Sequence, residues 1–132
     1  MIKESFKKYL EDAIGRENAL VAFSAFEEPA SVSVRYNPFK NAVRLEGEPV
    51  QWSPEGLLLA RRPVFTLDPC FHAGAYYVQD SSSMFVGDVF RGVLSNSVLP
   101  QDRPLRVLDL CAAPGGKTTD LAASLRKVCG DR

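Results

Sequence analysis

The sequence predicts an α/β chain: a small α+β module over residues 1–68, then a second segment, 69–132, in which a strand runs through a glycine-containing turn into a helix. Three observations predict it. Apolar residues recur at helical spacing near the start (Phe6, Tyr9, Leu10, Ala13, Ile14), and they alternate in Val32, Val34 and Tyr36. In residues 107–125, VLDLCAAPGGKTTDLAASL, the pattern passes from strand-like to helical around Pro114, Gly115 and Gly116.

The elements follow in order. Lys3, Lys7, Lys8, Glu11 and Asp12 cover the polar face of the first helix, and Gly15 ends it. A second helix is expected from Asn18, an N-cap residue type, through Leu20, Phe23 and Phe26 to the Glu27-Glu28-Pro29 stop. Ser31–Tyr36 reads as a strand closed by the Asn37-Pro38 turn, with Ser33 and Arg35 on its second face, so that Arg35 is expected to meet solvent or a ligand. Segments 50–52 and 57–60 flank the turn Ser53-Pro54-Glu55-Gly56 and predict a hairpin, with Trp52 in the core. The proline-punctuated stretch 61–69 marks the module boundary. From Ser81 a third helix is expected, capped by Asp80 or Ser81 and burying Met84, Phe85, Val89, Phe90 and Val93. A polar loop, 95–104, then leads to a buried strand carrying Val107, Leu108 and Leu110.

Composition sets bounds on function. The 132 residues carry zero formal net charge, so no basic footprint announces a nucleic-acid binder. Three cysteines, Cys70, Cys111 and Cys129, lack paired spacing, which favours reduced thiols over a disulfide framework or a zinc site and predicts no metal. Neither a membrane-length apolar run nor the apolar core of a signal peptide is present, which makes the cytoplasm the expected location.

A strand feeding a helix through glycines gathers backbone N–H groups and a positive helix end at one place, which suits an anionic ligand group. The run GGKT invites comparison with the phosphate-binding loop G-x-x-x-x-G-K-[ST], in which Lys117 would reach phosphates and Thr118 a magnesium ion. The first glycine of that pattern is Cys111 here, and Pro114 removes an amide donor. The dinucleotide pattern G-x-G-x-x-G fails as well, since Gly115 and Gly116 are adjacent. On spacing alone a generic strand-to-helix turn and a cofactor site both remain open, and a P-loop-like nucleotide-binding protein is kept as the alternative function.

The whole string LDLCAAPGGKTT resembles the cofactor loop of the Sun family of RNA cytosine-C5 methyltransferases. SVSVRYNP and FHAGAYYVQDSSSMF resemble that family's segments ahead of the loop, and the likeness is greatest to the bacterial small-subunit rRNA methyltransferase F subgroup. The resemblance implies S-adenosylmethionine as cofactor and RNA, ribosomal RNA in this subgroup, as partner. Residues 69–132 would then be the truncated start of a Rossmann-like methyltransferase domain. It further implies that Cys111, Ala112, Ala113, Pro114, Gly115, Gly116 and Lys117 wrap the cofactor. Asp109 would meet the cofactor's ammonium, and Gln79 and Asp80 would support the loop. Asp109 as a local amide cap, Lys117 as a solvated lysine and Asp80 as a plain helix cap are the alternatives.

Addition to cytosine carbon 6 needs a nucleophile, commonly a cysteine thiolate, and a base taken out of its stack. The family's catalytic cysteines lie downstream of the cofactor loop, and none of Cys70, Cys111 and Cys129 matches their motifs. No catalytic residue is therefore assigned, and this chain alone is expected to be inactive. His72 beside Cys70 could pair with that thiol, and Arg35, Lys40, Arg61 and Arg62 could touch RNA phosphates, although a packed connector and solvated surface charges are the favoured explanations. A non-catalytic RNA-binding fragment is a further reading.

Overall fold

A computed structural model describes residues 2–100 and 102–130. Gln101 of the predicted loop 95–104 and the chain end at residue 132 lie outside them. The chain divides into two compact units at Ala30–Ser31.

The first unit is a helical hairpin, α1 (Glu4–Ile14) and α2 (Arg16–Glu27). Gly15 alone joins them, at φ 82°, a backbone conformation that glycine adopts without steric cost. Asn18 therefore lies inside α2 instead of capping it, and its side-chain amide donates to the Ile14 carbonyl at 2.9 Å. Phe6 and Phe26 bring the two helices together with ring centroids 6.2 Å apart.

The second unit is built on an antiparallel sheet of β1 (Val32–Tyr36), β2 (Gly47–Pro49), β3 (Gly56–Leu59) and β4 (Tyr76–Val78), in the order β2-β3-β1-β4. A hairpin forms, but its first strand is Gly47–Pro49, and residues 50–52, expected to be that strand, lie in the connection to β3. One face of the sheet carries the core: Val34, Tyr36, Leu57, Phe65 and Tyr76. A short helix α3 (Pro69–His72), with Asp68 as its cap, closes that side. Since β4 pairs with β1, a single sheet crosses the predicted boundary between residues 68 and 69.

Helix α4 (Ser81–Asn96) starts where expected but presents a different face. Met84, Gly87 and Leu94 are buried, whereas Phe85, Val89 and Val93 are exposed, because the face is set by the helix packed against it and not by the richest apolar row. That partner is α5 (Gly116–Cys129). Trp52 is not core either: its ring lies edge-on to Phe85 at the surface, and its indole N–H donates to the Ser81 carbonyl at 2.7 Å.

The strand expected at residues 107–110 does not form. Leu108 and Leu110 are 80% and 86% exposed. A strand exists only when neighbours satisfy its backbone groups, and no described strand lies alongside this segment to pair with it.

Candidate cofactor loop

The segment from Asp109 to Asp120 is held from three sides. Asp109 closes the loop on itself, its Oδ1 accepting from the Cys111 amide at 2.9 Å and its Oδ2 from the Thr118 hydroxyl at 2.6 Å. Those bonds, the Thr118 one foremost, hold the Asp109 carboxyl below the usual aspartate range, so it is ionised at neutral pH. The peptide between Ala113 and Pro114 is cis. Gly115 then turns into α5 at φ 114°, where any side chain is strained. The amides of Gly116, Lys117 and Thr118 make no hydrogen bond among the described residues, as expected for the first turn of a helix.

Beneath the loop lies the second face of the sheet. Strand alternation puts Ser33 and Arg35 of β1 on that side, and Arg35 is the register partner of Tyr77 on β4. The Tyr77 hydroxyl donates to the Pro114 carbonyl at 3.1 Å. Gln79, just past β4, is fixed through its backbone: its carbonyl accepts from the Ser33 hydroxyl at 2.5 Å, and its amide donates to the Ser33 carbonyl. Its side chain packs under Gly116, where an added Cβ would come within 3.3 Å of Gln79 Cδ.

Arg35 is only 4% exposed, which corrects the expectation that it meets solvent, a ligand or RNA phosphates. Its Nε donates to Gln79 Oε1 at 2.9 Å, and its Nη2 donates to the Gly116 carbonyl at 3.2 Å and to the Thr119 hydroxyl at 2.6 Å. Asp120 of α5, equally buried, lies 3.8 Å from Arg35 and 3.4 Å from Arg91 of α4. Burial pulls the Arg35 pKa down against the Asp120 charge, and burial pushes the Asp120 carboxyl up despite both arginines.

Other residues singled out in the sequence fall elsewhere. Asp80 caps α4, accepting from the Ser82 amide and hydroxyl at 2.8 and 2.7 Å, and no hydrogen bond joins it to the loop among the described residues. Cys111, Ala112, Ala113 and Pro114 are exposed, and Gly115, Gly116 and Lys117 half-buried. His72 bonds the Thr66 carbonyl at 2.8 Å, Lys40 bonds the Ala73 carbonyl, and Arg62 stacks on Phe65. No group of residues able to hold a metal occurs among the described residues, and none of their helices is long and apolar enough to cross a membrane. Tyr77, Thr119 and Asp120 were not singled out by the sequence. The signal for them was the β1 alternation combined with the polar run Thr118-Thr119-Asp120 opening a helix.

The fold resembles that of a crystal structure described as a methyltransferase homologue from Pyrococcus horikoshii. The match has a TM-score of 0.64 and 30% identity, and covers 86% of this chain and 37% of the other. This likeness shows that the chain shares its fold with part of that methyltransferase homologue. The family model described as the N-terminal domain of 16S rRNA methyltransferase RsmF matches residues 2–81. The chain belongs to that family, within the Sun methyltransferases. A ribosomal RNA small subunit methyltransferase F from Cronobacter sakazakii is 30% identical over 141 residues, covering 95% of this chain and 28% of that protein. A protein of the same name from Erwinia tasmaniensis is 39% identical over 82 residues, 58% of this chain and 16% of its own length. The chain thus spans between about a sixth and just over a quarter of these relatives.

Proposed function

We propose that this chain is the N-terminal part of an S-adenosylmethionine-dependent RNA cytosine-C5 methyltransferase acting on ribosomal RNA, and that residues 109–117 hold the cofactor's methionine end. The observation that carries this reading is the pairing of three unbonded amides, at Gly116, Lys117 and Thr118, with an ionised Asp109 across one short loop. An amino-acid moiety has one anionic and one cationic end, and these two features complement them. Asp109 retains lone pairs beyond the two bonds it accepts, and the exposed Cys111–Pro114 segment leaves room for a ribose. When bound, the cofactor supplies an electrophilic methyl group. The residues of this chain bind and orient it, and the nucleophile that activates the base belongs to a part of the architecture outside the 132 residues. A division into an N-terminal α+β module, 1–68, and the start of the catalytic domain, 69–132, is part of this proposal, as is a cytoplasmic location.

The nucleotide-hydrolase alternative is disfavoured by the loop's own residues: Cys111 stands where the phosphate-binding pattern has its first glycine, and Pro114 has no amide to donate to a phosphate. The full gene product should transfer a labelled methyl group from S-adenosylmethionine to small-subunit ribosomal RNA. Nuclease digestion should recover the label as 5-methylcytidine. Label on another position would remove the C5 assignment, and magnesium-dependent ATP binding without S-adenosylmethionine binding would replace the reading altogether.

A further inference from the structure

We propose that Arg35 is the positioning residue of the cofactor loop: from β1 it bonds the Gly116 carbonyl directly and holds the Thr119 hydroxyl that bonds the Gly115 carbonyl, and thereby aims the amides of the first turn of α5. The inference rests on the reading of 109–117 as the cofactor site. Two adjacent glycines are the softest backbone in the segment. Nothing lies within 4 Å of where a Gly115 side chain would start, so packing does not restrain that residue. Its carbonyl is instead held, among the described residues, by Thr119 alone, accepting from the backbone amide at 2.9 Å and from the hydroxyl at 2.8 Å. That hydroxyl oxygen is held in turn by Arg35 Nη2 at 2.6 Å, and the same nitrogen donates to the Gly116 carbonyl at 3.2 Å.

The guanidinium is anchored on its other side by Gln79 Oε1, and Gln79 is tied to β1 through Ser33. A chain of bonds therefore runs from the rigid sheet to the diglycine, with Arg35 as the element that reaches both. Gln79 Nε2 is left without a partner, so the amide is turned to serve Arg35 at the expense of its own second bond. Three acceptors in three directions call for a planar fork and not for a point charge. A lysine would keep the charge opposite Asp120 and lose the fork.

The test uses the full gene product with Arg35→Lys and Thr119→Val. The first keeps a cation beside Asp120, and the second leaves the Arg35–Asp120 pair untouched, so both retain the fold. Each should raise the KM for S-adenosylmethionine about tenfold, the scale of one charge-assisted hydrogen bond. The kcat and the KM for RNA should stay near wild type, and exchange of the Thr119 amide, which donates to the Gly115 carbonyl, should quicken without ligand. A merely structural role would lower kcat through a smaller active fraction and leave the cofactor KM unchanged. That result, or wild-type cofactor affinity in both variants, overturns the inference alone. A wild-type protein that binds no S-adenosylmethionine overturns the cofactor reading and the inference with it.

Discussion

Helix α4 contains two glycines whose replacement by alanine should have opposite effects. Alanine is favoured over glycine in a helix interior by about 1 kcal/mol. At Gly92 nothing lies within 4 Å of an added Cβ, so Gly92→Ala should gain about 0.5–1 kcal/mol. At Gly87 the same atom would sit 2.1 Å from Asp120 Oδ2 and 2.9 Å from an Arg91 guanidinium nitrogen. The first is roughly 1.4 Å and the second roughly 0.6 Å short of a van der Waals separation of about 3.5 Å. Asp120 is not free to swing away, because Arg35 and Arg91 hold it from two sides in a buried setting. Overpacking costs of about 1–3 kcal/mol apply, toward the upper end because a buried ion pair is disturbed too. Net of the helix preference, Gly87→Ala should destabilise by about 2 kcal/mol. Urea and thermal unfolding, followed by far-ultraviolet circular dichroism and by the single tryptophan, Trp52, should separate the twins by about 3 kcal/mol. In thermal terms Gly87→Ala should melt about 8 °C or more below wild type and Gly92→Ala a few degrees above it. Equal stability of the two variants would refute the packing of Asp120 against α4.

Three further outcomes follow from the same contacts. Ser33→Ala removes the buried hydroxyl that serves the Gln79 carbonyl and should cost about 1–3 kcal/mol in unfolding free energy, read by urea titration. Tyr77→Phe deletes only an exposed bond to the Pro114 carbonyl; it should leave stability within about 0.5 kcal/mol of wild type yet quicken amide exchange in residues 111–115. Asp109 has a lowered pKa in the folded chain, so its bonds contribute fully above the ordinary aspartate value of about 4 and are lost as pH falls through the lowered one. Asp109→Asn should accordingly flatten the acid-side loss of exchange protection around the loop, and an unchanged pH profile would show that the carboxylate is not what closes it.

The sequence carried most of the elements and less of their company. The amphipathic spacing of 6–14 and the alternation of 32–36 were sufficient for α1 and β1, because each pattern is a property of one segment. What failed depended on partners. Leu108 and Leu110 look like a buried strand but have no neighbouring strand to pair with. The α4 face is chosen by Asp120 reaching from α5, a contact 33 residues distant that no periodicity records. Arg35 is the sharpest case. An arginine alternating with valines suggests an exposed face, yet a helix covers that face, and the charge is paired and bonded within it. The loop itself was legible only in its second half, as a glycine turn opening a helix, since the strand expected before it does not form. Its support from Tyr77 and Arg35 was not, because it depends on the β1–β4 register.

The central claim concerns three amides. Hydrogen exchange of the full gene product, resolved at single residues with and without S-adenosylmethionine, tests it most directly. Saturating cofactor should slow exchange at Gly116, Lys117 and Thr118 by about tenfold or more while leaving the α1–α2 hairpin unchanged. Saturation that protects other segments and leaves these three amides at their free rate would contradict the assignment of the loop as the cofactor's binding site.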